Sequence, residues 1–231
     1  MNTEMVERVA AIQAHVAQAC ARAGRDPESV AIVAVSKKQP PEAIAAAAAA
    51  GLTVFGESRV QEAAQKIPQC PGRLEWHFIG HLQTNKVAAA VALFSTIHSV
   101  DSWRVLEAVE QAAVAAGVRV RAMLEVNVSG ERSKFGLSPE EVPGVLERGA
   151  ALTRVEVVGL MTVPPFEPDP EKVRPYFAAL RQGRDRWARE TGLALPELSM
   201  GMTGDYGVAI EEGATCVRIG TGIFGAREAT P

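Results

Sequence analysis

The feature that most restricts what this chain can fold into is an alternation repeated eight times. Short β-branched runs occupy residues 31–36, 53–56, 75–79, 96–100, 121–128, 155–163, 197–202 and 216–224. Between them lie seven stretches of helical composition, at 41–50, 58–66, 82–93, 102–116, 139–151, 170–191 and 206–212. Connectors of that kind join parallel strands through crossover helices rather than hairpins. Eight parallel strands predict a closed (β/α)8 TIM barrel, whose usual length of roughly 250 residues suits a chain of 231. The alternative is an open doubly wound sheet. That fold would more often show G-x-G-x-x-G after its first strand, whereas the turn here is Ser-Lys-Lys-Gln-Pro. One more helix precedes the barrel, amphipathic through Val6, Val9, Ile12, Val16 and Cys20 at spacings of three and four. No stretch reads as a linker, so residues 1–231 are expected to form a single α/β domain.

Composition narrows the function classes. The net charge is −3 with acids and bases interspersed, which argues against a nucleic-acid partner. The most basic stretch, residues 181–189, is diluted by Asp185 and Glu190 and reads as a solvated helix face. Three cysteines, at 20, 70 and 216, stand far apart in no CxxC pair, as expected in a reducing compartment. MNTEMVERVA lacks the plan of a signal peptide, and the longest apolar run is too short to span a bilayer. A cytoplasmic protein with no membrane partner is the expectation.

A barrel of this kind places its site at the C-terminal strand ends, with phosphate often held after strands seven and eight. Here those two segments are LSMGMTGD and RIGTGIFG. They supply the hydroxyls of Ser199, Thr203 and Thr221 and the backbones of Gly201, Gly204, Gly220, Gly222 and Gly225. Glycine lets main-chain N–H groups approach an anion closely, although glycines also simply turn chains at barrel corners. Arg218 interrupts the otherwise apolar and small CVRIGTGIF, and a buried guanidinium must meet a ligand or a carboxylate such as Glu125 or Asp205. After the first strand come Lys37 and Lys38, of which alternation lets one point into the mouth without saying which. An inward amine near a bound anion can condense with an aldehyde; an outward one is a snorkelling surface lysine. His77 and His81 straddle a strand end without an HExxH pattern, which argues against zinc.

Seven motifs in order, AVSKKQP, FGESRVQE, WHFIGHLQTNK, LEVNVSGERSKFGL, VVGLMTV, LSMGMTGDYGVAI and VRIGTGIFG, resemble the pyridoxal-phosphate homeostasis proteins, whose barrel is similar to the N-terminal domain of alanine racemase. The resemblance implies that Lys37 carries pyridoxal 5'-phosphate as an internal aldimine. It implies that Ser199, the Gly220–Thr221 backbone and the Thr221 hydroxyl hold the phosphate, and that Arg218 faces the pyridine nitrogen. Gly201, Thr203 and Ser58 complete the implied cofactor contacts. Ser58-Arg59 stands where the family commonly has Asn-Tyr, and Thr203 where it has Ser. Arginine only donates, so the nitrogen is expected to stay unprotonated and the ring to be a weak electron sink. Alanine racemase also needs a second domain with a tyrosine base; this chain ends at Pro231, and its tyrosines are Tyr176 and Tyr206. The expectation is therefore a carrier or buffer of pyridoxal phosphate without robust catalysis, a monomer or weak dimer, with apo-enzymes as recipients. An amino-acid racemase is the alternative, and a cofactor-free Schiff-base aldolase a more distant one.

Overall fold

The computed structural model describes residues 3–70, 72–131 and 133–225. Eight parallel strands close into a barrel in chain order: β1 (Ala31–Val35), β2 (Val54–Glu57), β3 (Glu75–Phe78), β4 (Thr96–Val100), β5 (Val120–Glu125), β6 (Val155–Met161), β7 (Glu197–Met202) and β8 (Cys216–Ile219). The ring is sealed by β1 pairing with both β2 and β8, so that Ala34 stands between Phe55 and Ile219. This is the α/β barrel that the alternation predicts. Outside run α1 (Thr3–Arg22), α2 (Pro41–Ala49), α3 (Val60–Lys66), α4 (Val87–Val91), α5 (Trp103–Ala116), α6 (Val142–Gly149), α7 (Arg174–Thr191), α8 (Tyr206–Glu211) and α9 (Thr221–Phe224).

Local chemistry sets the boundaries. The Ser102 hydroxyl accepts from the Val105 N–H to start α5, which ends on Gly117 at φ 68°, where glycine avoids the left-handed Cβ penalty. Glu110, midway along α5, accepts from the N–H groups of Thr153, Arg154 and Val155 and so pins the start of β6 to that helix. The main apolar core lies between strands and helices, with Phe55, Ile97, Leu106, Leu124, Leu160 and Phe177 fully covered. Met123, Val158 and Met161 form a separate small cluster.

Three sequence expectations change. The eighth strand stops at Ile219, and residues expected to prolong it turn into α9. Glycine and threonine at 220–222 fit either state, and pairing with the short β1 covers only Cys216–Ile219. The fourth helix is a 3-10 turn at Thr84–Lys86 followed by one α turn. The buried stripe of α1 runs Met5, Val9, Ile12, Val16, Ala19 and Cys20, with Val6 only half-buried. That helix packs along α8 and α9: Arg8 donates to the Ile223 carbonyl, His15 meets the Tyr206 hydroxyl at 2.8 Å, and Arg22 pairs with Glu211. Among the described residues no helix is long and apolar enough to cross a membrane.

Candidate functional site

The two lysines after β1 separate at once. Lys37 is half-buried in the turn at the strand end, whereas Lys38 is exposed and takes φ 62°, its N–H donating to Glu62. The turn stands on a buried ionic knot. The Ser36 hydroxyl donates to Glu57 Oε1 at 2.6 Å, and Lys66 Nζ, 2.8 Å from that same oxygen, also reaches the Ser36 carbonyl and Glu62. Burial pushes the Glu57 carboxyl up, against the lowering effect of Lys66 and Ser36. Lys66 therefore braces the peptide that carries Lys37. Sequence reading assigned it only to a helix, since a lysine in a helical turn looks like a solvated one.

β8 runs beside β1, and residues 220–221 follow the register in which Ala34 meets Ile219. Gly220 lies against Val35, and α9 begins at Thr221. The β7 end folds over from the other side: Gly201 takes φ 92°, and the Gly222 N–H points at Thr203 Oγ1, 3.4 Å away. An added Cβ at Gly201 would lie 2.6 Å from that of Ala209, so glycine is required there twice over. Thr203 thus meets the Gly220–Gly222 turn, which follows β8 beside the end of β1. Ser58, half-buried after β2, packs its backbone on Gly80. Ser199 lies deeper, fully buried in the barrel, with its hydroxyl engaged by other side chains.

Those side chains are Arg218 and His98. Arg218, 4% exposed, donates from Nη1 to Ser199 Oγ at 2.5 Å and from Nη2 to the Thr162 carbonyl at 2.9 Å. Among the described residues it forms no salt bridge. Glu125 and Asp205 act on it only through space, opposing the desolvation that pulls its guanidinium below the usual range. His98 Nδ1 lies 2.8 Å from Ser199 Oγ. Sequence reading missed His98; the signal was an imidazole in the wholly buried strand TIHSV. His77 and His81 diverge, one to His98 and Glu75, the other to Asp101 with its ring stacked on Phe135.

The mouth also holds Glu125 at the end of β5. Burial, aided by the Asp101 charge and opposed by Arg218, pushes its carboxyl from 4.5 up to about 7. A cavity of about 610 Å³ lies away from these groups, among Ser95, Arg119, Val155 and Leu193.

A closed parallel barrel with a lysine after β1 and glycine-threonine turns after β7 and β8 belongs to a known class. Residues 8–228 match the family model described as alanine racemase, N-terminal domain. Within that class the chain belongs to the pyridoxal phosphate homeostasis protein family. It is 45% identical to the pyridoxal phosphate homeostasis protein of Aquifex aeolicus, over 96% of this chain and 98% of that one. With the protein of the same name from Pseudomonas aeruginosa it shares 40%, over 97% and 96%. Among solved structures, PipY of Synechococcus elongatus PCC7942 with PLP bound superimposes with a TM-score of 0.85 at 36% identity, covering 96% of this chain and all of that one.

Proposed function

We propose that this chain binds pyridoxal 5'-phosphate covalently through the Lys37 amine and carries or buffers it in the cytoplasm, handing it to apo-enzymes, rather than running a catalytic cycle. The observation that carries the reading is a half-buried lysine at the end of β1, the strand that pairs with β8, together with the Gly220–Thr221 turn that follows β8 and a buried Arg218 that forms no salt bridge among the described residues. Those are the groups that an aldehyde, a phosphate and a neutral ring nitrogen require. The family membership and the name of the PipY structure support it.

When bound, pyridoxal phosphate supplies an aldehyde that condenses reversibly with amines, releasing water. The rest is the work of the chain. Lys37 Nζ provides the tether, held in place by the Ser36–Glu57–Lys66 knot. The threonine hydroxyls and the Gly220–Gly222 backbone offer uncharged donors to the phosphate. Gly201 keeps the loop low enough to reach it, and Ser58 lines the β2 side. Ser199 enters through Arg218, whose guanidinium it accepts, on the pyridine side. Arg218 cannot take up or surrender a proton at neutral pH, so it aims a donor at the ring nitrogen and leaves that nitrogen unprotonated.

Tyr206, whose hydroxyl is turned to His15 of α1, is not placed to serve as a second base, which further disfavours racemisation. The three free cysteines fit a reducing compartment.

The test is a visible spectrum of wild type and Lys37→Ala after loading with pyridoxal phosphate and dialysis, then borohydride reduction and peptide mapping. A yellow wild type labelled on Lys37 and an unlabelled variant are expected. A wild type that retains no label overturns the tether. Sustained, Lys37-dependent formation of D-amino acids from L-amino acids overturns the carrier reading and favours the racemase.

A further inference from the structure

A row of polar side chains crosses the barrel interior from β3 to β8. Glu75 Oε1, on a side chain 44% exposed, lies 2.9 Å from His77 Nε2. His77 Nδ1 lies 2.9 Å from His98 Nε2, and His98 Nδ1 lies 2.8 Å from Ser199 Oγ. Ser199 Oγ takes the Nη1 donor of Arg218 at 2.5 Å. Four strands, β3, β4, β7 and β8, contribute to the row, and every member except Glu75 is buried.

The two ends give the row a direction. An ionised carboxylate only accepts and a guanidinium only donates. Glu75 therefore calls for a proton on His77 Nε2, and in that tautomer Nδ1 is the acceptor. His98 then carries its proton on Nε2 and accepts at Nδ1, so the Ser199 hydroxyl donates to His98. The lone pairs of Ser199 are thereby turned to Arg218. His98 is kept neutral above all by burial, helped by the Arg218 charge. The Cys216 thiol next to Ser199 is pushed up to about 11 by burial and stays protonated. The result is an unbroken line of donors running from Arg218 to Glu75, a rigid answer to a buried cation that forms no salt bridge among the described residues.

We propose that His98, acting through Ser199, is a positioning residue that aims Arg218 at the pyridine nitrogen of the bound cofactor, in a row anchored at Glu75. This rests on the pyridoxal-phosphate reading above and adds to it the residues that hold its electrostatics. The row acts on the ring through Arg218, so disturbing it should change how the ring is held while the Lys37 bond itself stays intact. Glutamine can stand in for His98, with its carbonyl toward Ser199 and its amide toward His77; leucine cannot.

The experiment uses the full chain. In apo wild type, nitrogen-resolved imidazole NMR should show His98 protonated on Nε2 and bare on Nδ1; the opposite tautomer overturns the direction of the row. In the loaded protein, Ser199→Ala and His98→Leu should each weaken pyridoxal-phosphate affinity about tenfold. Both should shift the visible band and the ring-nitrogen resonance while keeping the borohydride label on Lys37, and His98→Gln should restore wild-type values. Ser199→Ala removes a single atom, so it decides the matter if His98→Leu fails to fold. A labelled Ser199→Ala with unchanged affinity, band and resonance overturns the positioning role alone. A wild type that takes up no cofactor overturns the binding reading and this role together, and the tautomer assignment still stands or falls by itself.

Discussion

Replacing Glu125 with glutamine is expected to make the apo protein more stable above neutral pH, and the size of the gain follows from its burial. The carboxyl sits at 9% exposure and titrates at about 7 instead of 4.5, because burial and Asp101 disfavour its charge more than Arg218 favours it. A folded-state pKa above the unfolded one contributes stability that is fully present below about 4.5 and is lost as pH rises through about 7. With about 1.4 kcal/mol per pKa unit, that loss amounts to roughly 2.5 kcal/mol between about pH 5 and about pH 8.5. Glutamine is isosteric with the neutral acid and does not titrate. Urea unfolding at the two pH values should therefore give a wild-type loss about 2.5 kcal/mol larger than that of Glu125→Gln, with the m-values unchanged. Comparing the two proteins cancels the histidines and other groups that titrate in the same window. Equal pH dependence would refute the reasoning, since it would mean that Glu125 is as well solvated folded as unfolded.

The knot under Lys37 gives a second expectation. Lys66→Met strands the fully buried Glu57, whose Oε2 already has no hydrogen-bond partner, and should cost about 3–5 kcal/mol by chemical denaturation. Adding Glu57→Gln should recover most of that loss, and no recovery would refute the ion-pair account. Gly201→Ala meets both a left-handed φ and a Cβ clash with Ala209, so a loss of about 3 kcal/mol or more in the same assay is expected. It should also bring weaker binding of pyridoxal phosphate by equilibrium dialysis. Thr203→Val keeps the shape of the β7 loop and removes only a hydroxyl, so it should raise the pyridoxal-phosphate Kd about tenfold while unfolding like wild type.

How much of this was legible in the sequence depends on the kind of signal. Strand-helix alternation is a period, and a period survives without coordinates; the eight strands begin within one residue of the β-branched runs, while β5, β6 and β8 end before them. Arg218 was conspicuous because a charge in an apolar strand has to be explained. The choice between Lys37 and Lys38 was not legible from spacing. It is made by a left-handed residue in the turn, and lysine carries no sign of that conformation. Resemblance to a family supplied what counting could not.

The depth of Ser199 was hidden for a related reason. The β7–β8 pairing slips between Ser199 and Met202, so Ser199 stands opposite Cys216 while Met202 reaches Arg218. A hydroxyl that counting assigns to the rim is therefore one layer down. His98 escaped notice because a neutral imidazole in a buried strand looks like any other core residue until its two neighbours are known. The run 216–224 read as one strand since its residues suit both states, and the ladder alone decides where it ends.

The docking of α1 over α8 and α9 has a consequence for how the protein is made. Arg8 holds the Ile223 carbonyl across 215 positions of sequence, and Ile12 lies against Gly222. During synthesis α1 leaves the ribosome with an apolar stripe whose partners in α8 and α9 are translated long after it. The turn after β8 receives its outer support from α1 once β8 has joined β1. Closing the ring and bringing the turn after β8 to the end of β1 are one event, and a nascent chain displays Lys37 before it owns the strand that completes the barrel around it.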